Sequence, residues 1–251
     1  MKALIIAAGK GKRLGSYTKD LPKTLLPVAG KPIIDHQLDA LAANGITDIA
    51  IVKGYLADTI QRDAIGTIFI NDDYENNNIL ASMMYAAEFL DDDVIVSYSD
   101  IIYSKDVVAT LMGANHAITA VVDTDWRGRY TDRQDHPESE AEKALFDSET
   151  AVASEFGKVI DASPENIGEF IGLYKLSRDG AKIFRDAYIK ARSEFDGKPF
   201  VHAKVFSSAY ITDLFNFLIE SGALVHCAFI QKGWWEIDTE EDLLGAQEWL
   251  K

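Results

Sequence analysis

The sequence predicts an α/β protein with a mixed, mostly parallel sheet between layers of helices. Short apolar runs, which are typical of buried strands, alternate with segments of helical periodicity over the first half of the chain. Such alternation favours β-α-β connections, which make consecutive strands parallel and place helices on both faces of the sheet. The length of 251 residues suffices for one large α/β domain. No Pro/Gly/Ser-rich linker interrupts the sequence, so a single domain over 1–251 is expected.

Turn and capping residues set the bounds of the early elements. Pro32 suits the first turn of a helix that ends at Asn44-Gly45, and Ser104 can cap a later helix. The strands predicted before residue 123 are 3–7, 48–53, 67–70, 94–97 and 118–122, and the helices are 32–45, 56–62, 79–90 and 104–112.

The alternation stops after Asp123. Residues 124–166 are polar and irregular, which is typical of a small lid-like binding insertion, with short strands near 143–146 and 159–160. Thr239 is the expected N-cap of the last helix, because acidic residues fill the turn that follows it. Beyond the insertion the predicted strands are 170–176, 223–230 and 235–238, and the predicted helices are 178–194, 205–220 and 239–250.

Composition excludes several classes of protein. Cys227 is the one cysteine, so the sequence cannot be a disulfide scaffold or hold a cysteine-based zinc site. No apolar run approaches the roughly 20 residues of a membrane span, and the N-terminal apolar run is too short for a signal peptide. The expected compartment is therefore the cytoplasm. The formal net charge of −15 argues against nucleic-acid and anionic-membrane partners.

Positive charge is concentrated near the start of the chain. Residues 1–31 hold seven Lys or Arg residues and a single acidic residue, Asp20. A basic patch on an otherwise acidic protein indicates that it binds a small polyanion. A basic loop that only faces solvent is the alternative.

Most of these cations follow the first strand in a glycine-rich loop, AAGKGKRLG (residues 7–15). Leu14 replaces the third glycine of the dinucleotide fingerprint, and the residues after it do not match a Walker loop. Glycines let backbone N–H groups approach an anion closely. Arg13 can grip a phosphate with its bidentate fork, and Lys23 supplies a point charge. A triphosphate is therefore the expected ligand.

The run AAGKGKRLGSYTKDLPKTLLPVAGKPII resembles the signature of nucleotidylyltransferases, which load a nucleotide onto a small phosphorylated substrate. Ser16-Tyr17 stands where many members have Pro-Leu, a departure that concerns the local shape of the loop. The resemblance implies a three-layer α/β/α, Rossmann-like fold of the nucleotide-diphospho-sugar transferase type. It also implies that Arg13 and Lys23 are catalytic and contact the triphosphate and its reacting α-phosphate. The nucleotide-binding residues that it implies are Ala7, Ala8, Gly9, Gly11, Lys12, Arg13, Lys23 and Asp100.

Two acidic segments are candidates for a metal site. Asp100 closes the strand-like run VIVSYSD, and ligands of open α/β sheets bind at such carboxyl ends. In the late segment GWWEID, Glu236 and Asp238 share one face of a strand with Trp234. A turn residue or a helix cap is the alternative for each Asp. The family pattern places an acid at both points to hold Mg²⁺, which implies Asp100 and Asp238 as ligands and Glu236 as a further candidate.

The expected chemistry needs no general base. A phosphate or phosphonate monoester is already largely ionised at neutral pH and can attack the α-phosphorus in line. Mg²⁺, Arg13 and Lys23 would stabilise the developing charge and the leaving pyrophosphate. Histidines are not required, and His36, His116, His202 and His226 are interpreted as core or surface residues.

Later segments point to one branch of the family. NNNILASMMYAA, VSYSDIIY, VVDTDW, GEFIGLYKLS and GWWEIDTEEDL look like the phosphocholine and phosphonate cytidylyltransferases. This resemblance implies CTP as the nucleotide donor. Asn78 and Ser82, at the start of a predicted helix facing the loop, are candidates for base or ribose contacts, with ordinary helix capping as the alternative.

Two kinds of acceptor are compatible with the predicted lid. Trp126, Tyr130 and Trp234 could form an aromatic cage around a quaternary ammonium, or pack as the core of the lid. Arg127 and Arg129 would share a face of a strand, which suits a doubly charged phosphonate. The segment DWRGRYTDRQDHPESEAEK also looks like the phosphonate members, and Lys158 could reach the acceptor.

The sequence therefore predicts an enzyme that moves CMP from CTP to a small phosphonate, such as 2-aminoethylphosphonate, or to a phosphocholine-like headgroup. Its expected partners are CTP and that small substrate, and a homodimer stays open. One alternative is a sugar-1-phosphate nucleotidylyltransferase that uses UTP or dTTP. Another is a non-catalytic nucleotide-binding subunit, although Arg13, Lys23, Asp100 and Asp238 are all retained.

Overall fold

The computed structural model describes residues 1–131, 133–160 and 164–250. In chain order its strands are β1 (Lys2–Ala7), β2 (Pro27–Val28), β3 (Lys31–Pro32), β4 (Ile49–Lys53), β5 (Thr67–Ile70), β6 (Val94–Tyr98), β7 (Ile101–Tyr103), β8 (Ile118–Asp123), β9 (Lys143–Phe146), β10 (Val152–Gly157), β11 (Ile167–Leu176), β12 (Val225–Ile230) and β13 (Trp234–Glu236). Its α-helices are α1 (Ile33–Ala42), α2 (Ile79–Met84), α3 (Lys105–Gly113), α4 (Arg178–Phe195), α5 (Ile211–Glu220) and α6 (Glu240–Trp249).

The central sheet has the order β5-β4-β1-β6-β11-β8-β12-β10-β9. Parallel pairing joins β1 to β4 and to β6, and β8 to β12. Strands β10 and β11 run against their neighbours and the other seven strands run in one direction, so the sheet is mixed, as predicted. The register pairs Ile6 of β1 with Tyr98 of β6. The loops that follow these two strands therefore begin side by side at one edge of the sheet.

Alternate residues of β1 pack into two separate cores. Leu4 and Ile6 lie in a cluster with residues of α2, α4 and α5, whereas Ala3 and Ile5 lie in a cluster with residues of α1 and α3. Because successive side chains of a strand point to opposite faces, each face of the sheet is covered by its own helices. The structure confirms the predicted three-layer α/β/α architecture.

Several predicted bounds are wrong. The second strand of the insertion is β10 (Val152–Gly157) and not the predicted 159–160. Strand β10 pairs with β9 and extends the main sheet. Residues 161–163 lie outside the described ranges. The helix predicted over 79–90 is α2 followed by a separate 3₁₀ turn, Ala87–Phe89, and the helix predicted from 205 starts at Ile211. The segment predicted as a helix over 56–62 forms only a 3₁₀ turn, Ala57–Thr59.

Local capping explains the later start of α5 and the position of α6. Asp213 accepts hydrogen bonds from the backbone N–H groups of Tyr210 and His202, which fixes the first turn of α5. Thr239 caps α6 by accepting a hydrogen bond from the Asp242 N–H, as predicted. Among the helices in the described ranges, none is long and apolar enough to cross a membrane.

Candidate active site

A cavity of about 680 Å³ opens at the carboxyl ends of β1 and β6. The glycine loop after β1 lines it together with residues of the insertion and of β11. Asp100 and Asp238 belong to the same lining. Ligands of open α/β sheets bind at this position, because loops from different strands converge there.

The glycine loop lies close against Lys23. Gly11 has φ of 61°, and a Cβ added there would lie 3.0 Å from Lys23 Cβ. The left-handed backbone and the absence of a side chain thus both matter at this position. The 3₁₀ helix Lys12–Thr18 follows and presents Arg13, whose guanidinium lies 2.5 Å from Asp238 Oδ2. The loop delivers cations to the cavity, as the sequence predicts.

Lys23 bridges the two acids. Its ammonium donates to Asp100 Oδ2 at 2.8 Å and to Asp238 Oδ1, and only 10% of its side chain is exposed. Burial alone would lower the pKa of Lys23, but the two carboxylates outweigh it and hold that pKa above its ordinary value. Burial likewise acts to raise the pKa of Asp238, but Lys23 and Arg13 hold it well below its usual range. Lys23 and Asp238 therefore stay ionised at neutral pH.

A second, small sheet brings the two acids together. Strands β7 and β13 pair antiparallel, with Glu236 opposite Ile101, and the Ile237 N–H donates to the Asp100 carbonyl at 2.9 Å. Asp238 follows directly, and its backbone N–H donates to Asp242 Oδ2. Residues more than a hundred positions apart in the chain are thereby held at one point.

The acids have the chemistry of a site for a hard divalent cation. Asp100 Oδ1 is buried and has no hydrogen-bond partner among the described residues. A buried oxygen of this kind is costly unless something binds it. Glu236 lies beside the pair, and burial followed by the charges of Asp238 and Asp100 raises its pKa well above the ordinary value. Carboxylate oxygens are the ligands that Mg²⁺ prefers, so these residues fit such an ion.

Asn78 and Ser82 both line the cavity but also have structural partners. Asn78 caps α2 by accepting from the Ile79 N–H, and its amide donates to the Ser208 carbonyl. Ser82 is buried and bonded to Asn71 and Asn77. The alternative of helix capping is therefore observed for Asn78, and the nucleotide contacts of both residues stay a prediction.

The predicted aromatic cage is wrong. Trp126 is wholly buried and Tyr130 nearly so, and both pack with Ala141 and Ile167 as a small core of the insertion. The Trp126 indole donates to the Ile167 carbonyl at 3.4 Å. Neither aromatic ring lines the cavity, whereas Trp234 does. The alternative reading, core packing of the lid, describes Trp126 and Tyr130.

The predicted arginine pair is also wrong. Residues 127–130 form a 3₁₀ turn rather than a strand, so Arg127 and Arg129 do not share a strand face. Arg127 lies 3.7 Å from Glu138 and stacks on Trp126, away from the cavity lining.

Arg129 is held inside the protein by internal partners. Its guanidinium pairs with Asp123 and Glu169 and lies over the ring of Trp234. It supports the floor of the site and does not face an acceptor. From the predicted acceptor set, Lys158 and Trp234 line the cavity, and Lys158 pairs with Glu140 at 2.6 Å.

Sequence reasoning missed a group of acids that also line the cavity, Glu140, Glu142 and Glu169, which we call the acidic wall. Glu142 accepts from the Tyr98 hydroxyl and from Thr212 Oγ1, each at 3.3 Å. Burial raises the pKa of Glu142 to about 7. These acids are scattered through polar sequence, and only the pairing of β11 with β9 places them together. No local pattern could have revealed them.

Gly172 is expected to be intolerant of a side chain. Its φ is +76°, and a Cβ there would lie 2.5 Å from the Tyr98 ring. Strain and overpacking together predict that Gly172→Ala lowers the free energy of unfolding by about 2–4 kcal/mol. Urea unfolding measures this loss. Gly113→Ala is the matched control, since no atom lies within 4 Å of a Cβ there. Equal stability of the two variants would contradict the prediction.

A family model described as the MobA-like NTP transferase domain matches residues 3–223. The chain is 33% identical to CTP:phosphoglutamine cytidylyltransferase of Campylobacter jejuni, over 97% of this chain and 98% of that protein. It is 36% identical to CMP-5'-(3-aminopropyl)phosphonate synthase of Streptomyces rubellomurinus, over 47% of this chain and 20% of that protein. These matches confirm the resemblance to nucleotidylyltransferases and to their phosphocholine and phosphonate cytidylyltransferase branch.

A solved structure shows the same fold. The inositol-1-phosphate CTP transferase from T. maritima aligns with a TM-score of 0.74 at 19% identity, covering 98% of this chain and 96% of that one. At this identity the likeness concerns the fold, and it agrees with the nucleotide-diphospho-sugar transferase type that the sequence predicts.

Proposed function

Because the chain belongs to the MobA-like NTP transferase domain family, and is thus a nucleotidyltransferase, we propose that it transfers CMP from CTP to a small phosphonate or phosphate that carries an amine. Pyrophosphate is the second product. One observation carries the proposal. One cavity is lined by the cations of the glycine loop, which we call its donor end, by Lys23 paired with Asp100 and Asp238, and by the acidic wall, which we call its acceptor end.

The donor end suits a nucleoside triphosphate. Lys10, Lys12, Arg13 and Lys23 all line the cavity beside the backbone of the glycine loop. Fixed cations and close N–H groups complement the charge of a triphosphate chain. The choice of CTP is supported by the curated relatives, whose names give CTP or CMP as the nucleotide.

Three acids would hold the metal. We assign Asp100 and Asp238 as ligands of Mg²⁺, with Glu236 as a further ligand, on the strength of the buried, unpartnered Asp100 Oδ1. A bound Mg²⁺ neutralises charge on the triphosphate and orients it for displacement. Arg13, half exposed beside Asp238, is placed to hold a phosphate oxygen with its free N–H groups.

The reaction is an in-line displacement at the α-phosphorus. An oxygen of the ionised phosphonate forms the new bond to this phosphorus, and the bond to the β-phosphate oxygen breaks. Lys23 provides a buried positive charge where negative charge develops, and such preorganised charge is worth more than the same charge in water. No side chain needs to take a proton from the acceptor, because its second ionisation lies near neutral pH.

The acidic wall accounts for the acceptor better than the predicted cage. Glu142 has a carboxylate that is fixed by Tyr98 and Thr212, and Lys158 and Tyr210 line the cavity beside it. A primary ammonium can donate hydrogen bonds to such a carboxylate, whereas a quaternary ammonium cannot. An aminoalkyl phosphonate such as 2-aminoethylphosphonate fits this end, with phosphocholine as the weaker acceptor.

Pyrophosphate release tests the proposal. CTP, UTP, dTTP, ATP and GTP are each combined with Mg²⁺ and with 2-aminoethylphosphonate, ethylphosphonate, phosphocholine or glucose 1-phosphate. We expect release with CTP and 2-aminoethylphosphonate, and much less with ethylphosphonate, which lacks the amine. Release with UTP or dTTP and glucose 1-phosphate would assign the protein to the sugar branch instead. No release from any pair, with CTP still bound in calorimetry, would indicate a non-catalytic nucleotide-binding subunit.

The acidic wall predicts a pH dependence. With the pKa of Glu142 raised to about 7, its carboxylate is neutral below that pH and cannot pair with an ammonium. In the wild type, kcat/KM for 2-aminoethylphosphonate should rise as pH increases through 7. Lys158 acts to lower this pKa and Asp213 to raise it, so both set the midpoint.

Glu142→Gln removes this charge and isolates its effect. At pH 8 we expect kcat/KM for the aminated acceptor to fall by at least about tenfold, the worth of one charge-assisted hydrogen bond. Ethylphosphonate serves as the matched substrate, because its phosphonate group also loses its second proton near neutral pH. Its kcat/KM should be affected little by Glu142→Gln. A pH profile unchanged by Glu142→Gln would contradict the assignment.

A further inference from the structure

A histidine from the insertion reaches the acids of the site. His136 is almost fully buried, and one potential ligand atom from each of His136, Glu236 and Asp238 lies within 4.8 Å of the others. Metal–ligand bonds of about 2.0–2.2 Å place ligand atoms roughly 3–4.5 Å apart. The three side chains are therefore spaced to close on a single ion with small adjustments.

The contact of His136 Nδ1 with Asp242 sets the tautomer of the imidazole ring. Nδ1 lies 2.9 Å from Asp242 Oδ2, and the same oxygen accepts from the backbone N–H groups of Asp238 and Thr239. A buried carboxylate can only accept, so Nδ1 carries the hydrogen. In the neutral ring Nε2 then holds a lone pair. This is the carboxylate–histidine arrangement that orients imidazoles toward metals.

Glu236 is the acid that lies closest to a hydrogen-bonding distance from His136 Nε2 among the pairs described. Nε2 lies 3.7 Å from Glu236 Oε2, which is too long for a hydrogen bond. Glu236 in turn lies among like charges, those of Asp238, Asp100 and Glu169, so a cation beside its carboxylate would reduce their repulsion. The separation of His136 Nε2 and Glu236 Oε2 lies in the range expected for two ligand atoms on one metal ion.

We propose that His136, Glu236 and Asp238 form a mixed nitrogen and oxygen site for a divalent transition metal, with His136 Nε2 as its nitrogen ligand. Imidazole suits transition metals such as Zn²⁺, whereas carboxylates suit Mn²⁺ as well as Mg²⁺, so Mn²⁺ can report on this mixed ligand set. The site shares Asp238 and Glu236 with the metal site of the proposed function and rests on that function through these two residues, whereas His136 is new to it. Its occupation requires neither CTP nor an acceptor.

Mn²⁺ bound to the full-length protein without nucleotide tests this directly. Pulsed electron paramagnetic resonance detects a nitrogen coordinated to Mn²⁺, and calorimetry gives the affinity. We expect ¹⁴N coupling in the wild type. His136→Asn keeps a donor for Asp242 but lacks Nε2, so it should lose the coupling and bind Mn²⁺ at least about tenfold more weakly. His202→Asn, at a half-exposed histidine that pairs with Asp213, is the matched control and should match the wild type.

Wild-type protein that binds no Mn²⁺, or binds it without ¹⁴N coupling, would overturn the proposal, and this result does not depend on any variant folding. Glu236→Gln, which retains His136, should weaken Mn²⁺ binding while keeping the coupling. Pyrophosphate release with Mg²⁺ from protein lacking the coupling would leave the proposed function standing and refute only this site. ¹⁴N coupling to Mn²⁺ in protein that releases no pyrophosphate would support this site and refute the proposed function.

Discussion

Lys23→Met is expected to reduce kcat/KM for CTP by at least about 10³-fold, or roughly 4 kcal/mol. Methionine preserves most of the length of the stem and removes the charge. The ammonium lies between Asp100 and Asp238, the two acids that would hold the metal in the proposed function. Water has little access to this position, so the solvent cannot compensate for the loss of the ammonium charge. Pyrophosphate release at saturating acceptor measures the effect.

The same substitution is expected to destabilise the protein. It leaves the buried carboxylate of Asp238 with Arg13 as its remaining cationic partner, and breaking a buried pair costs about 3–5 kcal/mol. The native pKa of Asp238 is depressed, so its contribution to stability is present above the unfolded pKa and is lost as pH falls through the native one. The stability difference between wild type and variant should therefore be largest at neutral pH and shrink below about pH 4.

Lys31→Met provides the matched control. Lys31 lies in the same N-terminal segment, but its ion pair with Asp39 is on the surface. Exposed pairs are worth about 0–1 kcal/mol, so neither stability nor turnover should change much. A Lys23→Met enzyme within tenfold of wild-type kcat/KM would refute the role of the buried ammonium.

The donor half of the site could be predicted because its information is local. The glycine loop and Lys23 lie within one stretch of sequence. Asp100 and Asp238 each follow a strand whose carboxyl end is visible in the sequence. The rule that ligands bind at such ends of an open sheet places Asp100, whereas Asp238 follows a strand of the separate small sheet. The structure does bring them together, through the pairing of β7 with β13.

The acceptor half could not be predicted because its contacts are distant in the chain. Arg129 is held by Glu169, forty positions away, and His136 by Asp242, more than a hundred positions away. In sequence, Arg129 has the appearance of a free cation on a polar segment. A strand was assumed where the chain forms a 3₁₀ turn, so the predicted common face of the two arginines does not exist. For Trp126, the local sequence pattern does not distinguish a place in an aromatic cage from a place in the core of the lid.

Asp100→Asn is expected to reduce Mg²⁺-dependent turnover by at least about 10³-fold, the loss of a few kcal/mol of charge stabilisation by the metal. Asparagine preserves the size of the side chain and one carbonyl oxygen, which leaves the packing around β6 and β7 intact. The unfolding midpoint should therefore change little compared with the loss of activity. Asp106→Asn, at an exposed acid in the first turn of α3, is the control and should retain turnover.

The dependence on Mg²⁺ concentration separates two roles of Asp100. Its Oδ2 accepts from Lys23, and its Oδ1 is buried without a partner. If Asp100 acted only by holding Lys23, the carbonyl oxygen of asparagine could still accept that hydrogen bond, and half-saturation by Mg²⁺ would not move. If Oδ1 binds the metal, the neutral amide weakens binding, and half-saturation should shift to at least about tenfold higher Mg²⁺. Unchanged half-saturation with reduced turnover would assign Asp100 to the positioning of Lys23 and leave Asp238 and Glu236 as the metal ligands.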